Sequence, residues 1–217
     1  MPSPAPVRTQ MSLPDGMVML YVTAGDFLMG SLDGEGEKDE RPQHTVHLDA
    51  FWIDETEVTN RMYRACVDAG ACKEPARVNS YTREEYFDNP QFLDYPAIYV
   101  DWFQAGRYCQ WAGKRLPSEA EWEKAARGVD GWIYPWGNSE PDGEHANFYW
   151  LAGDTDQAGS YPAGASPYGA LDMAGNVSEW VADWYGEYTT SPYKTYNPQG
   201  PEFGPHRVAR GGSYLFS

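Results

Sequence analysis

The N-terminal third of the chain alternates apolar and polar positions in a way that predicts short strands. Residues 17–23 form an apolar run, a turn follows at residues 24–26, and residues 27–29 predict a second strand. Residues 45–53 are predicted to form one half-buried strand, because Val46, Leu48 and Ala50 alternate with His47 and Asp49. Between these strands, the acidic and glycine-punctuated residues 31–42 are typical of a solvated loop.

Three helices are predicted next, because three segments each lie between an N-capping side chain and a glycine. They run from Thr59 to Gly70, from Asp101 to Gly113 and from Ser118 to Gly128. Gln104 follows Asp101 by three residues, and Glu121 follows Ser118 by three. Both pairs match the capping box, in which two side chains satisfy the first backbone N–H groups of a helix.

The rest of the chain consists of short apolar runs separated by prolines and glycines, which predicts short strands and long turns. No internal repeat is visible. We therefore predict one α+β domain over residues 17–217, with helices early and irregular β-structure later. Residues 1–16 begin with proline at every second position and are predicted to be a Pro-rich linker or an artificial N-terminal extension.

Composition narrows the class of protein. The chain has 32 acidic and 16 basic residues and a formal charge of -16, which argues against nucleic acid as a partner. Phe, Trp and Tyr make up 15% of the residues, so an aromatic core can form although aliphatic side chains are few. No apolar run approaches the roughly 20 residues of a transmembrane segment.

Two of the three cysteines are close in sequence. Cys66 and Cys72 bracket a predicted helix end and a glycine turn, a spacing that can bring two Cα atoms within disulfide range. We predict this disulfide, against the alternative of two separate buried thiols. A disulfide favours a periplasmic or extracellular location over a cytoplasmic one. Cys109 is then left over, and no Cys or His spacing predicts a zinc site.

The segment from Asp172 to Glu179 has a carboxylate at each end and a glycine turn between them. Ca²⁺ binds about six to eight oxygens, from carboxylates and backbone carbonyls. The side chains of Asp172 and Glu179 and the carbonyls of Gly175 and Val177 are therefore candidate ligands. The alternative is an ordinary turn, because Asp and Asn often hydrogen-bond to nearby backbone groups.

Several short motifs follow one another along the chain. They are Met29-Gly30-Ser31, Glu57-Val58-Thr59-Asn60, Val100-Asp101-Trp102, residues 111–123, Tyr134-Pro135-Trp136-Gly137-Asn138, residues 172–180 and Arg210-Gly211-Gly212-Ser213-Tyr214. With these motifs in this order, the chain resembles the formylglycine-generating enzyme, or sulfatase-modifying factor, family from Met17 onward. The resemblance implies a C-type-lectin-like α+β fold with low regular secondary structure.

The resemblance also implies bound calcium. In the family, the segment that matches residues 172–179 holds one Ca²⁺, which favours the metal interpretation of that turn. A second family calcium site would fall at Asn147 and the carbonyl of Phe148, completed by Asp154 or by Asp156. Ca²⁺ is therefore the expected cofactor.

Copper is not expected. Active family members use O₂ and a Cu(I) ion held by two cysteine thiolates to oxidise a sulfatase cysteine to formylglycine. Ser213 matches a family active-site position, but Phe216 replaces the first copper cysteine, and the second would follow Ser217. Ser178 replaces a tryptophan that is usual in the family. The family's C-terminal closing segment also has no counterpart, so we expect either a fragment or a shortened paralogue.

The resemblance leaves two main functions open. The first is a non-catalytic domain that serves as a calcium-stabilised binding or assembly module for a protein partner. The alternative is a fragment or divergent member of the copper-dependent oxidases, with metal ligands other than the usual ones. Other oxidases on this fold, such as iron-dependent sulfoxide-forming enzymes, are a third and more distant interpretation.

Overall fold

The computed structural model describes residues 7–34, 36–188 and 195–215. Its strands are β1 (Thr9–Met11), β2 (Val18–Val22), β3 (Gly25–Met29), β4 (His44–Leu48), β5 (Phe51–Asp54), β6 (Glu179–Trp184), β7 (Thr195–Tyr196) and β8 (Arg207–Arg210). Its helices are α1 (Asn60–Asp68), α2 (Trp102–Trp111) and α3 (Glu119–Arg127), with 3-10 turns at Lys38–Glu40, Pro90–Phe92 and Pro162–Gly164. These elements confirm the α+β class with low regular secondary structure. None of the helices described is long and apolar enough to span a membrane.

The described strands form three small sheets. One has the antiparallel order β1-β2-β5, the second has the order β3-β4-β7, and the third pairs β6 with β8. The single strand predicted over residues 45–53 is therefore wrong, because β4 and β5 belong to different sheets. The chain leaves the ladder at Asp49, where its backbone N–H and carboxylate both hydrogen-bond to the side chain of Asn197.

Strand β1 lies within the stretch predicted to be a linker. It pairs antiparallel with β2, and the N–H of Tyr21 donates a hydrogen bond to the carbonyl of Arg8 at 2.9 Å. The linker prediction therefore does not hold for residues 9–11, because β2 needs partners for its backbone groups on this side. Residues 1–6 lie outside the described ranges.

All three predicted helices form, and their N-termini are capped as expected. Thr59 accepts a hydrogen bond from the N–H of Met62, and Asp101 forms a capping box with Gln104. At α3, Ser118 Oγ accepts from the Glu121 N–H at 3.2 Å, and the Glu121 carboxylate accepts from the Ser118 N–H at 2.8 Å. A side-chain cap of this kind stabilises a helix by about 1 kcal/mol.

The predicted disulfide between Cys66 and Cys72 is confirmed, with Cα atoms 5.3 Å apart. It ties the end of α1 to the turn that follows. Both cysteines belong to a hydrophobic cluster between α1 and α2, in which the rings of Tyr63 and Tyr108 stack. The disulfide therefore stabilises one of the two apolar clusters found among the described residues.

The larger core joins the sheets to α3. It contains Val22 of β2, Val46 of β4 and Val181 of β6 together with Trp122 of α3. Lys124 of α3 is also buried, and its Nζ donates to the backbone carbonyls of Thr23 at 2.8 Å and of Gly25, the first residue of β3, at 2.9 Å. Helix α3 thus packs against all three sheets and places Trp122 beside the C-terminal turns.

Candidate functional site

The turn between Asp172 and Glu179 has left-handed backbone conformations at three residues. The φ angles are 56° at Asp172, 88° at Gly175 and 53° at Asn176. A Cβ added to Gly175 would lie 2.4 Å from the carbonyl oxygen of Asn147, so only glycine fits this position. The N–H of Asn176 donates to the same carbonyl at 2.7 Å. The two predicted calcium segments are therefore in direct contact.

Asn176 is a fully buried residue that sequence reasoning missed. Its Nδ2 donates to Glu57 Oε1 at 3.0 Å and to the carbonyl of Asp156 at 3.2 Å. Its Oδ1 accepts from Asn147 Nδ2 at 3.2 Å and from the N–H of Asp156 at 2.8 Å. A buried amide needs such partners, and Asn176 therefore joins three separate segments. The sequence feature that points to Asn176 is its position directly after Gly175 of the turn.

Glu57 brings a third carboxyl group to the turn, and the sequence analysis did not include it in the site. The residue is buried, and its Oε2 receives no hydrogen bond from any described donor. Burial and the charges of Asp172 and Glu179 raise the pKa of Glu57 well above its ordinary value. Burial also raises the pKa of Asp172, although the N–H of Gly159 donates to its Oδ2 at 2.6 Å.

Glu179, at the start of β6, is held by α3. Its Oε2 accepts a hydrogen bond from Trp122 Nε1 at 3.0 Å. Burial raises the pKa of Glu179 to about 8, the Trp122 hydrogen bond opposes this rise, and the charge of Asp172 adds to it. Near neutral pH this carboxyl therefore holds a proton unless a cation compensates its charge.

This crowding of carboxyl groups fits a divalent cation. A proton on Glu57 can be shared with Asp172, whereas a cation would stabilise all three carboxylates in their ionised form. The carbonyls of Gly175 and Val177 belong to the same turn, and Ca²⁺ binds such mixed oxygen sets. Within the described part of the chain, no three Asp, Glu, His or Cys side chains are arranged as a metal cluster. Carbonyl ligands are therefore a necessary part of a site here.

The second predicted calcium site is arranged differently from its expected ligand set. Asn147 Nδ2 donates to the backbone carbonyl of Asp154 at 2.9 Å, not to its carboxylate. That carboxylate accepts hydrogen bonds from Ser80 Oγ at 2.6 Å and from the N–H and Oγ1 of Thr82 at 2.8 and 2.7 Å. Burial alone would raise the pKa of Asp154, but these donors outweigh it and the pKa is lowered.

Asp156, the alternative acidic ligand, also has hydrogen-bond donors of its own. Its carboxylate accepts from the N–H of Gln157 at 2.8 Å and from the Tyr161 hydroxyl at 3.0 Å. The structure thus brings Asn147 and Phe148 beside the first turn but gives both candidate carboxylates other partners. The second calcium site stays a prediction.

The Gly-Gly-Ser segment packs directly on the turn. The carbonyl of Gly211 accepts from the Gly175 N–H at 2.7 Å, and the carbonyl of Gly212 accepts from Ser178 Oγ at 2.7 Å. Ser213 is nearly buried, and its Oγ accepts from the N–H of Leu215 at 3.3 Å. Ser213 has no described general base beside it. Phe216 lies outside the described residues.

A cavity of about 1040 Å³ opens beside this turn. Its walls come from β5, α2, the start of β6 and residues 213–215. Glu57, Glu179 and Ser213 all line it, so the candidate metal turn and the family's Gly-Gly-Ser position share one cavity.

Comparison with known families decides which fold this is. The family model "Sulfatase-modifying factor enzyme 1-like domain" matches residues 4–217. The chain belongs to this family. The resemblance read from the sequence motifs is therefore confirmed.

Named relatives include a formylglycine-generating enzyme and a longer protein named as a kinase. "Formylglycine-generating enzyme" of Thermomonospora curvata is 34% identical over 97% of this chain and 86% of its own length. "Serine/threonine-protein kinase pkn1" of Chlamydia caviae is 39% identical over 90% of this chain. The match spans only 33% of that kinase-named relative. In three dimensions, PvdO from Pseudomonas aeruginosa superposes with a TM-score of 0.80 at 28% identity, covering 99% of this chain and 89% of that chain.

The thiols of this sulfatase-modifying factor domain are not arranged as a metal pair. Cys66 and Cys72 are joined to each other, and Cys109 is the third cysteine of the chain. Burial raises the pKa of Cys109 to about 12, and the charge of Asp54 adds to the rise while Lys114 opposes it. The Cys109 thiol is therefore protonated near neutral pH.

Proposed function

We propose that this chain is a non-catalytic member of the sulfatase-modifying factor family that binds or assembles with a protein partner. The observation that carries the proposal is the state of its thiols. Two are joined in the Cys66–Cys72 disulfide, and the partly buried Cys109 thiol has a raised pKa. A soft ion such as Cu(I) prefers thiolate ligands, and the family's chemistry uses two. The residues present therefore do not fit copper.

Calcium is part of the proposal. Asp172 and Glu179 would hold it through their side chains, and Gly175 and Val177 through their carbonyls. A bound Ca²⁺ would supply the positive charge that the buried carboxyls lack. Two hydrogen bonds orient the carboxylates: the N–H of Gly159 donates to Asp172, and the indole N–H of Trp122 donates to Glu179. A second ion at Asn147 and Phe148 would also need a carboxylate ligand. Asp154 or Asp156 could provide it only by giving up the hydrogen bonds that it now accepts.

The surface supports a binding role. Large apolar side chains are exposed around the cavity, and such patches often mark protein interaction sites. The formal charge of -16 favours partners with basic surfaces. The disulfide agrees with an oxidising compartment, which supports the expectation of a periplasmic or extracellular location.

The alternative function is that of a copper-dependent formylglycine-generating oxidase, with metal ligands outside the positions considered above. The identity of 34% with a formylglycine-generating enzyme over nearly the whole chain favours it.

A copper titration separates the two functions. The protein is titrated anaerobically with Cu(I) against a competing chelator, then incubated in air with a Cys-x-Pro-x-Arg peptide whose oxidation is followed by mass spectrometry. We expect neither stoichiometric Cu(I) binding nor aldehyde formation, and Phe216→Cys by itself should restore neither because one thiolate is not enough. Cys109→Ala serves as the control for nonspecific thiol binding. Stoichiometric copper with peptide oxidation in the unmodified chain would overturn the non-catalytic proposal.

A further inference from the structure

We propose that the turn of the β1–β2 hairpin, residues 12–16, is a gate to the cavity and that the carboxylate of Asp15 holds this gate closed. The turn connects two paired strands, and three of its residues, Ser12, Leu13 and Pro14, line the cavity. The inference goes beyond the proposed function and does not rest on it, because it concerns entry into the cavity and not what the cavity binds.

A single carboxylate oxygen ties the turn to the α2 side of the cavity. Asp15 Oδ2 accepts a hydrogen bond from the Tyr108 hydroxyl at 2.7 Å and another from Lys114 Nζ at 2.8 Å. Tyr108 lies in α2, Lys114 follows that helix, and both line the cavity. The Asp15 side chain has no exposed surface and that of Lys114 is 7% exposed. Solvent ions therefore screen this pair little, and it can hold the turn in place.

Lys114 has a second carboxylate partner, which makes release of Asp15 possible. Its Nζ also donates to both carboxylate oxygens of Asp54, at 2.9 and 3.0 Å. Asp54 ends β5, which pairs with β2 and does not depend on the turn. Breaking a buried ion pair is costly mainly when it leaves an unpaired buried charge. Here the ammonium stays paired with Asp54 and the Asp15 carboxylate enters water, so the gate can open without unfolding the site.

Most of the turn is exposed and hydrogen-bonded to itself. Leu13 is 93% exposed, and Gly16 is exposed as well. The N–H of Ser12 donates to the carbonyl of Met17 at 2.8 Å, and the N–H of Gly16 donates to the carbonyl of Ser12 at 2.9 Å. Met17, directly before β2, is buried. The turn therefore keeps its own shape and can move as a unit relative to the buried Met17 once Asp15 is released.

Cys109 is a built-in reporter of entry into the cavity. The chain has three cysteines and two of them form the disulfide, so Cys109 carries its one free thiol. The residue lines the cavity directly after Tyr108, and the N–H of Lys114 donates to its backbone carbonyl at 2.7 Å. The reporter thus lies beside both donors that bind Asp15. Its rate of alkylation measures how readily a reagent passes the turn.

The test compares two uncharged reagents of different size, N-ethylmaleimide and N-(1-pyrenyl)maleimide, on the full chain. Both react with the Cys109 thiolate, so the ratio of their rate constants, pyrenyl to ethyl, cancels any change in thiol pKa and reports space. Asp15→Asn keeps Oδ1 for the Met17 N–H but places an NH₂ group, which cannot accept, opposite Tyr108 and Lys114. We expect this ratio to rise about tenfold, because two hydrogen bonds to a charged group are lost. Mass spectrometry of the intact protein measures both rates.

Asp54→Asn is the matched control. It removes a charge from the same lysine but leaves both hydrogen bonds of Asp15 in place, so the size ratio should equal that of the unmodified chain. Tyr108→Phe removes one of those two bonds and keeps the ring that stacks on Tyr63. We expect a smaller rise of about threefold, because one hydrogen bond is lost. This variant decides the question if Asp15→Asn does not fold.

Three outcomes would overturn the inference. The first is a size ratio in the unmodified chain equal to that of glutathione, which would show that the cavity is open to both reagents. The second is an unchanged ratio in folded Asp15→Asn, or in Tyr108→Phe if the first variant does not fold. The third is an equal rise in Asp54→Asn, which would assign the effect to Lys114 and not to the turn. None of these outcomes depends on copper, calcium or a partner, so failure here is distinguishable from failure of the proposed function.

Discussion

Asn176 donates a hydrogen bond from its side-chain amide to Glu57, a residue 119 positions earlier, at 3.0 Å. Both residues are buried. This single contact connects the segment before α1 to the turn that is the candidate calcium site. It explains why the early Glu-Val-Thr-Asn motif and the late Gly-Asn turn belong to one structural unit.

Calcium removal should destabilise the protein. A ligand that binds only the folded state stabilises it by about 3 kcal/mol at a hundred times its Kd, so EGTA should lower the Tm by several degrees. Asp172→Asn and Glu179→Gln should abolish this response, whereas Glu84→Gln, at an exposed position, should retain it. A melting curve that is identical with and without EGTA in the unmodified chain would argue against calcium at this turn.

The stability of the calcium-free protein should fall as pH rises. The pKa of Glu179 is about 8 in the folded state against an ordinary 4.5. Between these values the folded state keeps a proton that the unfolded state has lost, so each pH unit costs roughly 1.4 kcal/mol at most. Urea unfolding in EGTA between pH 5 and 8 measures this slope. The slope should be smaller in Glu179→Gln, and an unchanged slope would assign it to other groups.

Gly175→Ala should be far more destabilising than Gly113→Ala. Both glycines have left-handed φ angles, 88° and 73°, but only a Cβ at Gly175 would meet another atom, the carbonyl oxygen of Asn147. The left-handed conformation alone costs about 1–2 kcal/mol, which is the expected loss for Gly113→Ala. Gly175→Ala adds the displacement of the Asn147 segment, and we expect more than about 3 kcal/mol by chemical denaturation. Equal losses of unfolding free energy in the two variants would show that the Asn147 segment shifts at little cost.

Breaking the disulfide should cost about 2 kcal/mol in the chain-entropy model, because it closes a short loop with a sequence separation of 6. Urea unfolding of the double variant Cys66→Ser/Cys72→Ser measures the loss. The same loss should appear in the unmodified chain after reduction with a thiol reagent. Since the bridge lies in the α1–α2 cluster, which contains no residue of the Asp172–Glu179 turn, the calcium response should be unaffected. A variant that loses the EGTA response would show that the two regions are coupled.

The sequence by itself determined the local features of this protein. The helix N-caps are Thr59, Asp101 and Ser118 as predicted, because each capping side chain and its backbone partner are only three residues apart. The disulfide was also predictable, because two cysteines only six residues apart on either side of a turn lie close together in space. The family followed from motifs that are each contiguous in the chain.

Tertiary structure decided everything that depends on distant partners. The alternation of apolar and polar residues predicted one strand over residues 45–53. In the structure this segment forms two strands, β4 and β5, and Asp49 between them hydrogen-bonds to Asn197, 148 positions later. The carboxyl groups of the candidate site come from residues more than a hundred positions apart, so no spacing rule could include Glu57. The donors to the Asp154 carboxylate, Ser80 and Thr82, also lie far away in sequence, 74 and 72 positions earlier. Hydrophobic periodicity and capping act within a few residues, whereas burial and charge depend on which segments the folded chain brings together.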